Sequence, residues 1–278
     1  MASRDDFRQV AEENRDIFEL GLYEAPDGTI VDITTEMAEM LAGTRVVDGP
    51  VEVSGRTALV PARITLAPET TVAGIDRLSR EGALSICALN FASARTPGGG
   101  YLRGGAAQEE ALCRATTLYP SLEKQTAFYA RNKAWPNAVY LDDLIYSPHV
   151  LLIRDDHGRL RPDPVQIGVV TAPAPNLGAL AEQGLSDWLR GEVDRALARR
   201  VKRILATAQS MGHDALVLGA WGCGVFGNAP DQVAALFEAA LSGPFEGAFQ
   251  RVHFAVPGRA ADPNLTAFVE TFGPTWPA

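Results

Sequence analysis

Three cysteines among 278 residues, Cys87, Cys113 and Cys223, form no Cys-x-x-Cys pair. Their odd number argues against a disulfide framework, so they read as reduced thiols. The four histidines, His149, His157, His213 and His253, stand at no His-x-x-x-His or similar spacing. A zinc site therefore has no support, and no metal or other cofactor is expected. No apolar run reaches the roughly 18 residues that a membrane span needs, and the opening segment MASRDDFRQVAEENRDIFEL is charged and helix-like rather than a signal peptide. The chain reads as cytoplasmic, without a membrane partner. Positive charge is also scarce: 25 basic residues face 34 acidic ones, for a net charge of −9. A protein that lays a long polyanion along its surface carries a basic stripe, because phosphate neutralisation supplies most of that affinity. The densest basic cluster, RALARRVKR at 195–203, instead has the spacing of the solvated face of an amphipathic helix. Sequence-specific nucleic-acid binding is not expected, and an anionic ligand would be gripped locally, by loops and helix ends.

What is present is an alternation of strands and helices. DDFRQVAEENRDIFELGLY and TTEMAEMLAGT read as helices, separated by the breaker APDGT and followed by a Val-rich stretch at 46–60. From about residue 71 a helix, TTVAGIDRLSREG, precedes a buried strand, ALSICALNFASA. A glycine loop, a helix from about Ala106 and another around SLEKQTAFYARN come next. Further strands are expected in LDDLIYSPHVLLIRD (as one strand or two short ones), PVQIGVVTAPAPN, DALVLGAWGCGVFGN and QRVHFAVPG. A long helix is expected at 186–211, and PNLTAFVETFG reads as a terminal one. This order predicts an α/β protein, a three-layer α/β/α sandwich with a largely parallel or mixed sheet. The first 70 residues read as an N-terminal helical accessory layer or lid on a domain at 71–278.

Ligands of such folds sit beyond the carboxyl ends of the strands. Two glycine-rich segments fall there: GGGYLRGG at 98–105, with five glycines in eight positions, and GAWGCGVFG at 219–227. Each follows a strand and precedes a helix, so backbone N–H groups and helix N-termini can converge on an anion without any lysine. Neither is followed by the Gly-Lys-Ser/Thr of a phosphate loop, nor does either spell the dinucleotide fingerprint. Phe226, inside the second loop, could plug the core or cover a ring or sugar. Cys223 has no histidine near it in sequence and reads as inert.

The segment LNFASARTPGGGYLRGGAAQEEALCRATTLYPSL carries the decisive spacing: Gly98-Gly99-Gly100, seven residues, then Gln108-Glu109-Glu110. It resembles the signature of the bacterial-type poly(ADP-ribose) glycohydrolases of the macrodomain superfamily. TTVAGIDRL, YSP at 146–148, APAPN at 172–176 and GAWGCGVFGN at 219–228 agree, as does the N-terminal extension. The resemblance implies a macrodomain-like fold that hydrolyses ribose–ribose O-glycosidic bonds of poly(ADP-ribose), releasing ADP-ribose from polymer ends. ADP-ribosylated proteins would carry the substrate. It further implies that Glu110 is the catalytic acid/base and that Glu109 holds ribose hydroxyls. Asn90 would bind the distal ribose, with Gly98, Gly99, Gly100 and Gln108 around it. The amides of Gly222, Cys223, Gly224, Val225, Phe226 and Gly227 would wrap the diphosphate, and Asn176 is a further candidate. A non-catalytic ADP-ribose reader has no need of Gln-Glu-Glu; a hydrolase of mono-ADP-ribosylated proteins is separated less well by sequence.

Adjacent helical residues point about 100° apart, so the two glutamates cannot flank a sugar as paired glycosidase carboxylates do. One carboxyl must do the proton work, and the like charge of its neighbour is expected to keep Glu110 protonated.

Overall fold

The computed structural model describes residues 3–52, 61–83, 85–182 and 184–274. The Val-rich stretch at 46–60 thus lies partly outside the described residues. The first helix, α1 (Arg4–Leu20), begins at a capping box in which Ser3 and Asp6 exchange side-chain and backbone hydrogen bonds, and ends at Gly21 in the left-handed region. A hairpin follows, β1 (Leu22–Glu24) and β2 (Ile30–Asp32), turning through the Pro-Asp-Gly segment. Next come α2 (Thr34–Gly43), β3 (Arg45–Val47) and β4 (Arg63–Ala67).

Helix α3 (Thr71–Arg80), capped by the Thr70 hydroxyl, leads into β5 (Ile86–Phe91). The glycine loop holds one short 3-10 turn, Tyr101–Arg103, before α4 (Gln108–Ala115), α5 (Leu118–Glu123) and α6 (Thr126–Ala134). A long antiparallel pair, β6 (Leu144–Arg154) and β7 (Leu160–Ala172), precedes α7 (Leu177–Glu182) and α8 (Asp187–Ser210). The chain continues through β8 (Ala215–Leu218), α9 (Pro230–Leu241), β9 (Arg251–Ala255) and α10 (Pro263–Phe272). Among the described residues no helix is long and apolar enough to cross a membrane.

Seven strands form one mixed sheet in the order β3-β6-β7-β5-β8-β9-β4, parallel from β7 to β4 and antiparallel at β3, β6 and β7. The period of two in β5 sends alternate residues to the two faces. Cys87 and Leu89 join a core with α8, α9 and α10, whereas Ile86 and Ala88 join one with α3, α4, α5 and α6. This is the expected three-layer sandwich. A third cluster, Ile17, Tyr23, Ile33 and Met37 against Leu151 and Ile153, seats the N-terminal segment on β6.

LDDLIYSPHVLLIRD makes one strand and not two short ones; a register shift between Ser147 and Val150, with His149 at φ 53°, bends it without ending it. Two expectations need correction. The division expected at residue 70 cuts through the sheet, because β3 and β4 are its two edges. RALARRVKR is not wholly a solvated face. Arg200 is fully buried, paired with Asp142 and donating to the carbonyls of Val139, Tyr140 and Pro173, because these loop carbonyls have no ladder partners to satisfy them.

Candidate active site

A cleft of about 520 Å³ opens beyond the carboxyl ends of β5, β8 and β9. Gly99 and the start of α4 form one wall, and Trp221 to Phe226 the other. A broader depression of about 810 Å³ between α3 and the β6–β7 hairpin shares no lining residue with it and contains none of the residues singled out above.

Helix α4 is fastened to β5 by Gln108. Its amide nitrogen donates to Leu89 O (2.8 Å) and Thr71 Oγ1 (3.0 Å), and its oxygen accepts from Phe91 N (2.8 Å). That fixes the phase of the helix, and hence where the next two side chains point. Glu109 is buried: Oε1 accepts from Asn90 Nδ2 (3.2 Å) and Oε2 from Ser93 N (2.7 Å). Glu110 reaches back over the glycine loop, Oε1 accepting from Gly100 N at 2.7 Å. Its Oε2 is buried without a hydrogen-bond partner, as is Asn90 Oδ1. Both glutamates converge on one backbone point: a Cβ placed on Gly99 would lie 2.6 Å from Glu110 Oε1 and 2.9 Å from Glu109 Oε2. The carboxylates share one side of the cleft.

Burial, more than the neighbouring Glu110 charge, pushes the Glu109 carboxyl up to about 8. On that carboxyl the like charge is a minor cause beside burial. A test follows from linkage. Glu109 holds its proton in the fold up to about pH 8 but in the unfolded chain only to about 4.5. Native stability must then fall as pH rises through that window, by up to about 5 kcal/mol. Glu109→Gln, which cannot ionise, is expected to melt progressively higher relative to wild type between pH 5 and pH 9. A pH-independent difference in Tm between the two would refute the buried neutral carboxyl.

The second wall is built on β8. Trp221 is buried and donates from Nε1 to Ala172 O (2.8 Å), anchoring the 219–227 loop to the end of β7, two strands away. Asn228 closes the loop at its base, donating from Nδ2 to Gly222 O (2.9 Å) and Pro175 O (2.8 Å). Asn228→Ala removes both bonds at a buried position. The affinity for ADP-ribose that the sequence resemblance implies is expected to weaken by about tenfold on titration calorimetry, with any turnover at saturation little changed. Unchanged affinity would show that the loop does not need this clasp.

Phe226 packs on the core and Tyr140 (centroids 6.4 Å apart) and also lines the cleft. Cys223 is pushed up to about 12 by burial, which suits the inert reading.

Of the residues singled out from sequence, Glu109, Glu110, Gly99, Gln108, Gly222, Gly224, Val225 and Phe226 line the cleft. Asn90 and Gly100 lie behind it, bonded to the two glutamates, and Gly98 and Cys223 flank lining residues. Asn176 is occupied elsewhere, capping α7 by accepting from Ala179 N (3.0 Å). Ser93, Thr71, Trp221 and Asn228 were not singled out. All four lie inside the quoted segments, but the bonds that give them work here reach partners 16, 37, 49 and 53 residues away for Ser93, Thr71, Trp221 and Asn228, so local spacing does not show it.

A family model described as microbial-type PARG, catalytic domain, matches residues 11–155. No curated protein matches the sequence. Among solved structures, the poly(ADP-ribose) glycohydrolase of Thermomonospora curvata is 41% identical, covering 96% of this chain and 100% of that one, with a TM-score of 0.89. A structure of the Thermomonospora curvata enzyme bound to the inhibitor ADP-HPD is 40% identical over the same shares, with a TM-score of 0.85. The enzyme from Deinococcus radiodurans in complex with ADP-ribose is 42% identical over 84% of this chain and 96% of that one, with a TM-score of 0.77. Fold, glycine-loop geometry and these matches agree, and the chain belongs to the family of microbial-type poly(ADP-ribose) glycohydrolases.

Proposed function

We propose that this chain is a glycosidase that hydrolyses the ribose–ribose O-glycosidic bonds of poly(ADP-ribose) and releases ADP-ribose. The observation that carries the assignment of the acid/base is the state of Glu110: one carboxylate oxygen is held by Gly100 N–H, the other is buried and unpartnered. A buried polar atom without a partner is costly unless a ligand completes it. Protonated Glu110 donates to the leaving ribose oxygen as the glycosidic bond breaks. The oxocarbenium-like sugar then takes a water molecule, whose proton returns to the same carboxylate. Neutral Glu109 and Asn90, bonded to each other, hold ribose hydroxyls beside that bond. The diphosphate rests on the amides of the 219–227 loop and lends its negative charge to the cationic transition state.

The cleft volume suits a single nucleotide-sugar unit. Together with the acidic net charge it supports action at polymer ends, on chains carried by ADP-ribosylated proteins. Incubation with poly(ADP-ribose) and, separately, with mono-ADP-ribosylated protein tests the reading. Chromatography should show ADP-ribose released from polymer alone. Release from the mono-modified protein alone would overturn it, and oligomers cut from chain interiors would overturn the preference for ends.

A further inference from the structure

The loop that delivers Gly100 N–H to Glu110 is made largely of glycine, the residue that loses most conformational freedom on ordering. Its own bonds, Tyr101 N to Gly98 O (2.9 Å) and Gly105 N to Gly100 O (2.9 Å), close single turns and do not tie it to the rest of the fold. It is tied down by the Tyr101 ring, buried in the core 4.9 Å from the ring of Tyr119, and by α1. Asn14, fully buried in the middle of that helix, donates from Nδ2 to Tyr101 OH (3.2 Å) in the loop and to Arg114 O (2.8 Å) in α4. Its Oδ1 accepts from Arg154 Nε (3.0 Å) on β6, and Arg154 also pairs with Glu13 (2.8 Å). The Arg114 guanidinium lies 3.9 Å from the centroid of the Phe7 ring of α1 and donates to Gly105 O. At the loop's far end α1 comes so close that a Cβ on Gly104, at φ 74°, would sit 2.2 Å from Arg4 O.

Both ends of the Glu110 arrangement, the loop that supplies its N–H and the helix that carries it, are therefore bonded to one side chain. We infer that α1 is a positioning element for Glu110 and that Asn14 is the residue through which it acts, so the N-terminal segment is a rear buttress of the site and not a lid. The inference rests on the acid/base role of Glu110 proposed above. The 219–227 loop has separate anchors in Trp221 and Asn228. Loosening the buttress should accordingly affect turnover and spare product binding.

The test uses the full chain with three substitutions. Asn14→Ala removes all three bonds of the side chain. Asn14→Asp keeps the acceptor for Arg154 and loses both donors. Tyr101→Phe deletes a single hydroxyl at constant shape. Turnover of poly(ADP-ribose) at saturation is expected to fall about 10- to 100-fold for both Asn14 variants and several-fold for Tyr101→Phe, while Kd for ADP-ribose stays within about threefold. Equal losses of turnover and ADP-ribose affinity would mean general destabilisation and overturn the inference, as would wild-type turnover in any folded Asn14 variant. Should Asn14→Ala fail to fold, Tyr101→Phe decides. Wild-type protein inactive on the polymer would instead sink the functional reading itself.

Discussion

Glu110→Gln is expected to lower hydrolysis of poly(ADP-ribose) by about 10³- to 10⁴-fold, the range that general acid–base catalysis supplies, while ADP-ribose binding stays within about threefold of wild type. The amide is nearly isosteric, and its oxygen can still accept from Gly100 N–H, so the loop keeps its shape. What disappears is the exchangeable proton at the partnerless oxygen, without which the leaving ribose departs as an alkoxide. Single-turnover chromatography of the released ADP-ribose, beside calorimetric titration of the same nucleotide, separates the two effects. Near wild-type turnover would eliminate Glu110 as the acid/base. A parallel collapse of affinity would mean that its carboxylate serves binding and not proton transfer.

Gly99→Ala should be nearly as damaging to activity, by about 10²-fold or more, with a much smaller effect on stability. Gly99 sits at φ 59°, where a non-glycine residue costs about 1–2 kcal/mol. The atoms a new Cβ would meet are the carboxyl ends of two glutamate side chains, which would have to give up their bonds to Gly100 N and Ser93 N to move aside, so stability falls by that loss as well. They cannot do so and keep their places: the 2.6 Å and 2.9 Å approaches are to Glu110 Oε1 and Glu109 Oε2. The methyl group would displace both carboxyl groups at once. A variant that folds with a Tm a few degrees below wild type and fails to turn over polymer is the expected result. A folded, fully active variant would show that the glutamates tolerate displacement and that the triplet is only a turn.

Sequence made the middle of this protein legible and its edges obscure, for a physical reason. Helix α8 and strand β5 carry their periodicity within themselves, and the Gln108-Glu109-Glu110 spacing behind the glycine triplet is local too. Strands of three residues such as β1, β2 and β3 are too short to show a period, and their existence depends on distant partners. Asn14 is, by spacing alone, one more polar residue of an amphipathic helix; only the arrival of Tyr101 and Arg154 makes it a buried junction. Gln108 belonged visibly to the motif, but its work, holding α4 to β5 and Thr71, could not be read until those groups were adjacent. Arg200 shows the same limit in reverse: its sequence neighbourhood suggested solvent, and four distant oxygen atoms draw it inside.

The sheet's two outermost strands, β3 and β4, are close neighbours in the chain; β3 covers the outer hydrogen-bonding row of β6 only at Leu144–Tyr146, and β4 covers that of β9 along its whole length. An uncovered row of backbone donors and acceptors invites pairing with another molecule, and an edge strand of three to five residues offers little of it. The segment that braces the glycine loop is thus continuous with the two short strands that end the sheet on either side. One of those edges is held at the cost of a long closure, since Thr65 of β4 meets His253 of β9 across 188 residues.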